Sequence, residues 1–348
     1  MLTIKQIRDD KEAAARKLAK KGVDAAPVIE KIISFDDRRK ALQLELDNTL
    51  SAQNKAVKEI GALMGQGRRE EAEERKRFVA DLKEKSSRLE AELILAHCAG
   101  KDRAWVHSRL PDAVPASVAE AALSACARRK KREPLQYILG CCDFDGLSLL
   151  VEAGCLVPRP ETELLVECAA ENFDGGAFLD WGTGTGCIAV ALLNRFPAAR
   201  ALMVEKNPAS LNCARRNLEK FGFSPRARLI ASETPEDIPA CEVSLVVSNP
   251  PYVPSGEIER LMPEVSQYEP RLALDGGPDG LEPYRRLFEL CARVLRPGGF
   301  FCVEYGGGAQ TEALRALAPK AFRETVLLRD IAGCDRVIGW RFADVLPQ

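Results

Sequence analysis

The chain has 348 residues, 46% of them hydrophobic, with 50 basic residues against 51 acidic ones. That length allows two or three domains and a sizeable core. The even charge balance excludes a global field that would draw in nucleic acid or an anionic membrane, so any such partner must be held locally. No stretch supplies the roughly 18–20 apolar residues of a membrane span, and the start MLTIKQIRDDKEAAARK lacks the apolar core of a secretory signal, so a cytoplasmic location is expected. The twelve cysteines show no CxxC or zinc-ligand spacing, which reads as buried or idle thiols in a reducing compartment, with no metal.

The first 96 residues contain neither Cys nor Trp and carry 39 charged side chains, a composition that suits thin helices with wet faces rather than a thick core. Apolar residues recur three or four apart: Val28, Ile32 and Phe35, then Leu42, Leu46 and Leu50, then Val57, Ile60 and Met64. After the break at Gly65–Gly67 a second run has Ala72, Val79, Leu82, Leu89 and Leu93. The period predicts two antiparallel helices burying narrow stripes against each other, an arm of about 60 Å if roughly 40 residues run outward. MLTIKQIRDDKE and RRKALQLELDNTLSAQNKAVKEIGALM resemble the N-terminal tRNA-binding arm of bacterial seryl-tRNA synthetase, and this likeness covers residues 1–92. It implies a possible contact with tRNA; a solvated spacer is the alternative. Nothing beyond it resembles the serine-activating domain.

From about Ser87 the segments SRLEAELILAHCAGKDRAWV and VAEAALSACARRKKREPLQYILG read as short amphipathic helices, a small helical module assigned to residues 93–133. The cluster Arg128–Arg132 ends a helix, where positive charge suits the macrodipole. A linking hairpin is expected over residues 134–155, turning at Asp145 and Gly146.

AFLDWGTGTGCIAVALL, residues 177–193, is an apolar strand ending at Asp180, a glycine-rich turn and an apolar helix. Gly182, Gly184 and Gly186 permit positive φ and close approach of a ligand to the backbone. The spacing is GxGxG rather than the GxGxxG of dinucleotide sites, which disfavours a nicotinamide dehydrogenase. The next strand ends at Glu205, nineteen residues after Gly186, where a carboxylate can take both hydroxyls of a ribose. A helix-start acid ahead of NPASLNCARRNL is the alternative.

The strand EVSLVVSNPPY, residues 242–252, breaks at Asn249, Pro250, Pro251 and Tyr252. In an open α/β sheet, ligands lie outside the carboxyl ends of the strands, so this corner faces the glycine turn if the two strands are neighbours. An amide or aromatic amine is a poor nucleophile. The Asn249 oxygen and the Pro250 carbonyl can accept hydrogen bonds from a target NH2 and aim its lone pair, while the Tyr252 ring can pack over a flat group.

The glycine motif and Asn-Pro-Pro-Tyr resemble those of Rossmann-like methyltransferases, including enzymes that methylate adenine amino groups in DNA or RNA. Together with LVPRPETELLVE (156–167) and REPLQYILG, they identify residues 87–348 as similar to the release factor glutamine methyltransferase family. That resemblance implies transfer of a methyl from S-adenosyl-L-methionine to the glutamine of the Gly-Gly-Gln motif of peptide chain release factors, in translation termination. It implies cofactor contacts at Asp180, Gly182, Thr183, Gly184, Thr185, Gly186, Glu205, Glu233, Thr234 and Asn249. Substrate contacts are implied at Asn249, Pro250, Pro251, Tyr252, Pro158, Arg159 and Glu161, with Asn249, Pro250 and Tyr252 catalytic; a structural role for Pro158–Glu163 is the alternative. The family's ribose acid is usually Asp, Trp181 stands where a small aliphatic is common, and no aromatic accompanies Glu233 and Thr234 for an adenine ring. The helical module also starts about 20 residues late, its first helix replaced by the second arm helix.

The expected fold is α/β: a Rossmann-like, seven-stranded class I methyltransferase domain over 156–348, behind the helical module and the antiparallel hairpin. Strands are expected at 177–181, 200–205, 227–231, 243–248, 299–304, 323–328 and 334–341, the last two antiparallel. The rival functions are an adenine-amino methyltransferase and a tRNA-binding fusion with an inert enzyme half.

Overall fold

The computed structural model describes residues 68–343 apart from 102, 109–112, 233, 239–240 and 331, together with scattered positions from 11 to 66. Most of the first arm helix expected over 28–64, and Glu233, lie outside the described residues. The chain divides into two compact units, Met1–Ala127 and Arg128–Gln348.

In the first unit the described residues turn at Gln66, and α1 (Arg69–Cys98) follows. Arg75 Nε lies 2.9 Å from Glu59 Oε2, so the segments on either side of the turn lie against one another there. Ala56 and Ala72 are buried. Helix α1 runs unbroken through residues 92 and 93, where the arm and the helical module were divided in the sequence. Two short helices follow, α2 (Arg103–Ser108) and α3 (Ala116–Lys130).

The second unit opens with α4 (Leu135–Leu139), inside the span assigned to the linking hairpin and in the segment REPLQYILG also read as helical; Pro134 starts it and Gly140, at φ 67°, ends it in the left-handed conformation. The hairpin β1 (Cys141–Phe144) and β2 (Leu147–Leu150) turns at Asp145 and Gly146, both at positive φ, as a two-residue hairpin loop requires. Helix α5 (Glu161–Glu171) leads into the sheet. The sheet elements then alternate: β3 (Ala177–Trp181), α6 (Cys187–Arg195), β4 (Arg200–Glu205), α7 (Pro208–Phe221), β5 (Ala227–Ala231) and β6 (Val243–Ser248). A one-turn helix α8 (Pro263–Ser266) precedes α9 (Glu282–Val294), β7 (Leu295–Glu304), α10 (Ala309–Leu317), β8 (Phe322–Arg329) and β9 (Asp335–Phe342).

The seven strands lie in the order β5-β4-β3-β6-β7-β9-β8, parallel through β7, with β9 antiparallel to both neighbours. Successive side chains point to opposite faces. Phe178, Leu245, Val247, Phe300 and Cys302 pack under α5, α6 and α7, while Leu179, Val246, Phe301, Val303 and Trp340 pack with Leu287, Phe288 and Cys291 of α9. All six residues of β6, Ser244 and Ser248 included, are buried, as expected in a doubly covered parallel sheet. Strand β7 begins four residues before the expected 299 because Leu295 already pairs with Val243; regular pairing resumes at Phe300 opposite Leu245.

Asn217 of α7 fastens the glycine turn to the hairpin. It is fully buried, its Nδ2 donates to the carbonyls of Leu150 (3.0 Å) and Thr185 (2.9 Å), and its Oδ1 accepts from Leu150 N at 2.7 Å. Asn217→Ala would orphan these backbone groups, so urea denaturation should show a loss of about 2–4 kcal/mol; a loss within experimental error would contradict this role.

Candidate active site

Neighbouring parallel strands β3 and β6 end together, Trp181 opposite Ser248, and Ser248 Oγ donates to the Trp181 carbonyl at 2.7 Å. The glycine turn after β3 and the Asn-Pro-Pro-Tyr corner after β6 therefore open on one side of the sheet. Between them lies a cavity of about 470 Å³, lined by Gly182–Thr185, Glu205, Asn249 and Pro251 among others. That size is ordinary for a small-molecule site.

Gly182, Gly184 and Gly186 have φ of 68°, 57° and 81°. At Gly186 a Cβ would also come within 3.0 Å of Met203 Cε and 3.3 Å of Ala214 Cβ, so both conformation and packing of α6 onto β4 and α7 require glycine. Glu205 Oε2 accepts from Gly184 N (2.9 Å) and Oε1 from Asn207 N (2.8 Å). A carboxylate oxygen can accept more than one hydrogen bond, and Glu205 lines the cavity, as a vicinal diol would need. Burial pushes the Glu205 carboxyl up, and these backbone hydrogen bonds pull it back.

Asp180 is fully buried behind the cavity wall rather than lining it. Its Oδ2 accepts from Thr183 Oγ1 at 2.6 Å, while Oδ1 meets no hydrogen-bond donor among the described residues. Burial raises the carboxyl from 3.8 to about 7. Thr183, Thr185 and Glu205 line the cavity, whereas Gly186 is not part of its lining. Thr234 is exposed and outside the lining, where Ser232 is found instead. Cys187 also lines the cavity, but burial pushes its thiol up to about 12, so it stays protonated at neutral pH.

On the opposite wall, Asn249 Nδ2 donates to Thr162 Oγ1 at 3.1 Å, leaving Oδ1 without a claim on it from that side. Pro158, Arg159 and Pro251 line the cavity; Pro250 is buried outside the lining and Glu161 is solvent-exposed. Arg159 pairs with buried Glu269, whose Oε1 also accepts from Val157 N at 3.2 Å, so the Pro158 segment is anchored by an acid 112 residues away. Tyr252 does not line the cavity. Its hydroxyl donates to Glu304 Oε1 at 3.3 Å and its carbonyl accepts from Gln310 Nε2 at 2.9 Å, so the ring is held against the sheet rather than over a target. A Cβ on Gly280 would come 2.4 Å from that carbonyl, which shows how closely the 276–280 loop backs the corner. Glu304, Glu269 and Gln310 were not recognised in the sequence, and Thr162 entered only as part of the Pro158–Glu163 block, because each acts on a partner far along the chain.

A doubly wound sheet with a glycine cradle after its first strand, an acid closing the second and Asn-Pro-Pro-Tyr closing the fourth defines a Rossmann-like methyltransferase. Residues 160–265 match the methyltransferase small domain, residues 73–140 the PrmC N-terminal domain and residues 1–97 the seryl-tRNA synthetase N-terminal domain. The last two overlap on α1, which serves both as the second helix of the hairpin and as the opening of the next domain. The release factor glutamine methyltransferase of Geobacter sulfurreducens is 39% identical over 265 residues, covering 76% of this chain and 93% of that one. Those of Moorella thermoacetica (37% over 254 residues, 72% and 89%) and Caulobacter vibrioides (41% over 215 residues, 61% and 74%) are similar too. The chain belongs to the release factor glutamine methyltransferase family.

S-adenosylmethionine is the cofactor of this class, and the residues fit it: the positive-φ cradle for a close-lying tail, and the Glu205 carboxyl in the cavity lining for a ribose. Glu205→Gln keeps an acceptor for one backbone N–H but loses charge and one lone-pair face. Calorimetric titration should show S-adenosylmethionine bound about 10–100-fold more weakly, and an unchanged affinity would remove Glu205 from the site. Asp180 makes a separate prediction. Because its folded pKa of about 7 lies above the usual 3.8, its contribution to stability is fully present below the unfolded value and is lost as pH rises through about 7. Asp180→Asn should flatten the decline in unfolding free energy between pH 4 and 7 by of order 2–4 kcal/mol, as read from urea melts; an unaltered slope would assign the titration elsewhere.

Proposed function

We propose that the protein methylates the glutamine side-chain amide nitrogen in the Gly-Gly-Gln motif of peptide chain release factors, using S-adenosylmethionine, in the cytoplasm. The observation that carries this reading is the Asn249 carboxamide in the wall of the cavity, its NH2 tied back to Thr162 and its oxygen left to accept. Family membership supports the substrate, since relatives 36–41% identical carry that activity in their names.

When bound, S-adenosylmethionine supplies an electrophilic methyl on a sulfonium. Asn249 Oδ1, in the cavity wall, and the carbonyl of Pro250, carried between the lining residues Asn249 and Pro251, accept the two N–H bonds of the target amide, fixing the plane of its NH2 so that the nitrogen lone pair, and not the amide oxygen, faces the methyl. The fixed acceptors also favour the positive charge that grows on nitrogen as the new bond forms. An N-methylated, protonated amide is a strong acid and surrenders its proton to water, so no strong base is needed. Pro251 and Arg159 flank the entering side chain, and Tyr252 secures the corner. The N-terminal arm offers a second contact, with tRNA.

The test is transfer of labelled methyl from S-adenosylmethionine to purified release factor, with adenine-containing DNA and RNA in parallel. Label should appear in the glutamine of the Gly-Gly-Gln peptide, and Asn249→Ala should lower kcat about 100–1,000-fold. Label on nucleic acid and none on release factor would replace this reading with the adenine-amino one.

A further inference from the structure

A carboxamide has nearly the same shape when its oxygen and nitrogen are exchanged by a half-turn, so only its hydrogen-bond partners decide which end faces a ligand. At this site the choice matters, because a target NH2 needs an acceptor and an Asn249 NH2 in that place would repel it.

We propose that Thr162 and Glu304 are positioning residues that set the polarity of Asn249, holding its oxygen toward the cavity through a one-way chain of hydrogen bonds. The proposal rests on the amide-methylating reading above and deepens it.

The chain starts at Glu304, at the carboxyl end of β7 and 1% exposed. An ionised carboxylate only accepts. Thr162, in the first turn of α5 and also 1% exposed, places Oγ1 2.6 Å from Glu304 Oε2 and must spend its single proton on it. The Thr162 oxygen is thereby left as an acceptor toward Asn249, and Asn249 Nδ2 meets it at 3.1 Å. Oδ1 is left for the cavity.

Tyr252 supplies the second donor to the carboxylate, on Oε1, and Tyr284 Oη donates to the Glu304 backbone carbonyl at 2.8 Å. Burial, and to a lesser degree the Glu161 carboxylate, push the Glu304 carboxyl up, whereas the Thr162 hydrogen bond, the nearby Arg336 guanidinium and the Tyr252 hydroxyl pull it back toward its charged form. A buried acid at the junction of three elements is a poor way to gain stability, since an apolar side chain avoids the desolvation. An acceptor with no proton of its own is what the polarity of the chain demands.

Two readouts test it on the full chain. With asparagine 15N-labelled, the Asn249 side-chain NH2 should exchange with solvent about 10-fold more slowly in wild type than in Thr162→Val, which has no acceptor for it, with Thr162→Ser close to wild type. In the methyl-transfer assay Thr162→Val should lower kcat about 10–100-fold, with KM for release factor and the affinity for S-adenosylmethionine near wild type; Thr162→Ser should recover kcat to within about 3-fold. Equal exchange in wild type and Thr162→Val, or a Thr162→Ser as impaired as Thr162→Val, overturns the relay. Should Thr162→Val prove unstable in thermal unfolding, Thr162→Ala takes its place with the same expectations. Wild-type protein that leaves release factor unmethylated sinks the proposed function instead, and the exchange measurement, which needs no substrate, still decides the relay.

Discussion

The parallel pairing of β3 with β6 is the constraint on which the site depends. Phe178 to Trp181 lie in register with Leu245 to Ser248, and the Ser248 hydroxyl bonds the Trp181 carbonyl where the strands end. A shift of one residue would exchange the faces of Leu245, Val246 and Val247 and bury the wrong side of the strand, so the two hydrophobic layers enforce the register. The glycine turn and the Asn-Pro-Pro-Tyr corner are thus brought to one cavity by packing that neither of them takes part in. The loops can be shaped for chemistry because their ends are fixed by the sheet.

Around that cavity the protein keeps four carboxyl groups largely out of water: Asp180, Glu205, Glu269 and Glu304. Burial pushes each of them up, and each is drawn back by a specific donor: Thr183, the Gly184 and Asn207 amides, Arg159, and Thr162 with Tyr252. Such groups weaken the fold as isolated charges. Their value lies in direction, since a carboxylate fixes which way its partners' hydrogens point. Glu269 anchors the Pro158 segment, Glu205 draws in the Gly184 amide, and Glu304 governs the hydroxyls beside Asn249.

The sheet was legible in the sequence because parallel, doubly covered strands must be apolar throughout and must stop at residues that cannot continue them. Strands β3, β4, β5 and β6 match their expected bounds, and β8 and β9 differ by a residue at their ends. Glycine spacing exposed the cradle, and Asn-Pro-Pro-Tyr exposed the acceptor corner. The supports were not legible. Thr162 and Glu304 are 142 residues apart and Asn217 bonds Leu150 across 67, so nothing local marks them as partners. Tyr252 was read from its ring as a lid on the target, yet its hydroxyl, drawn to Glu304, decides where it sits. Local period recovers elements; the buried polar contacts that orient the reactive groups depend on which elements meet.

An amide held by its two hydrogens to a carboxamide oxygen and a backbone carbonyl is the heart of the chemistry. A crystal structure of the complex with S-adenosylhomocysteine and a peptide containing Gly-Gly-Gln tests it most directly. The glutamine nitrogen should lie within about 2.7–3.2 Å of Asn249 Oδ1 and of the Pro250 carbonyl, on the sulfur side of the cavity. A glutamine bound elsewhere, or one presenting its oxygen to Asn249, would contradict it.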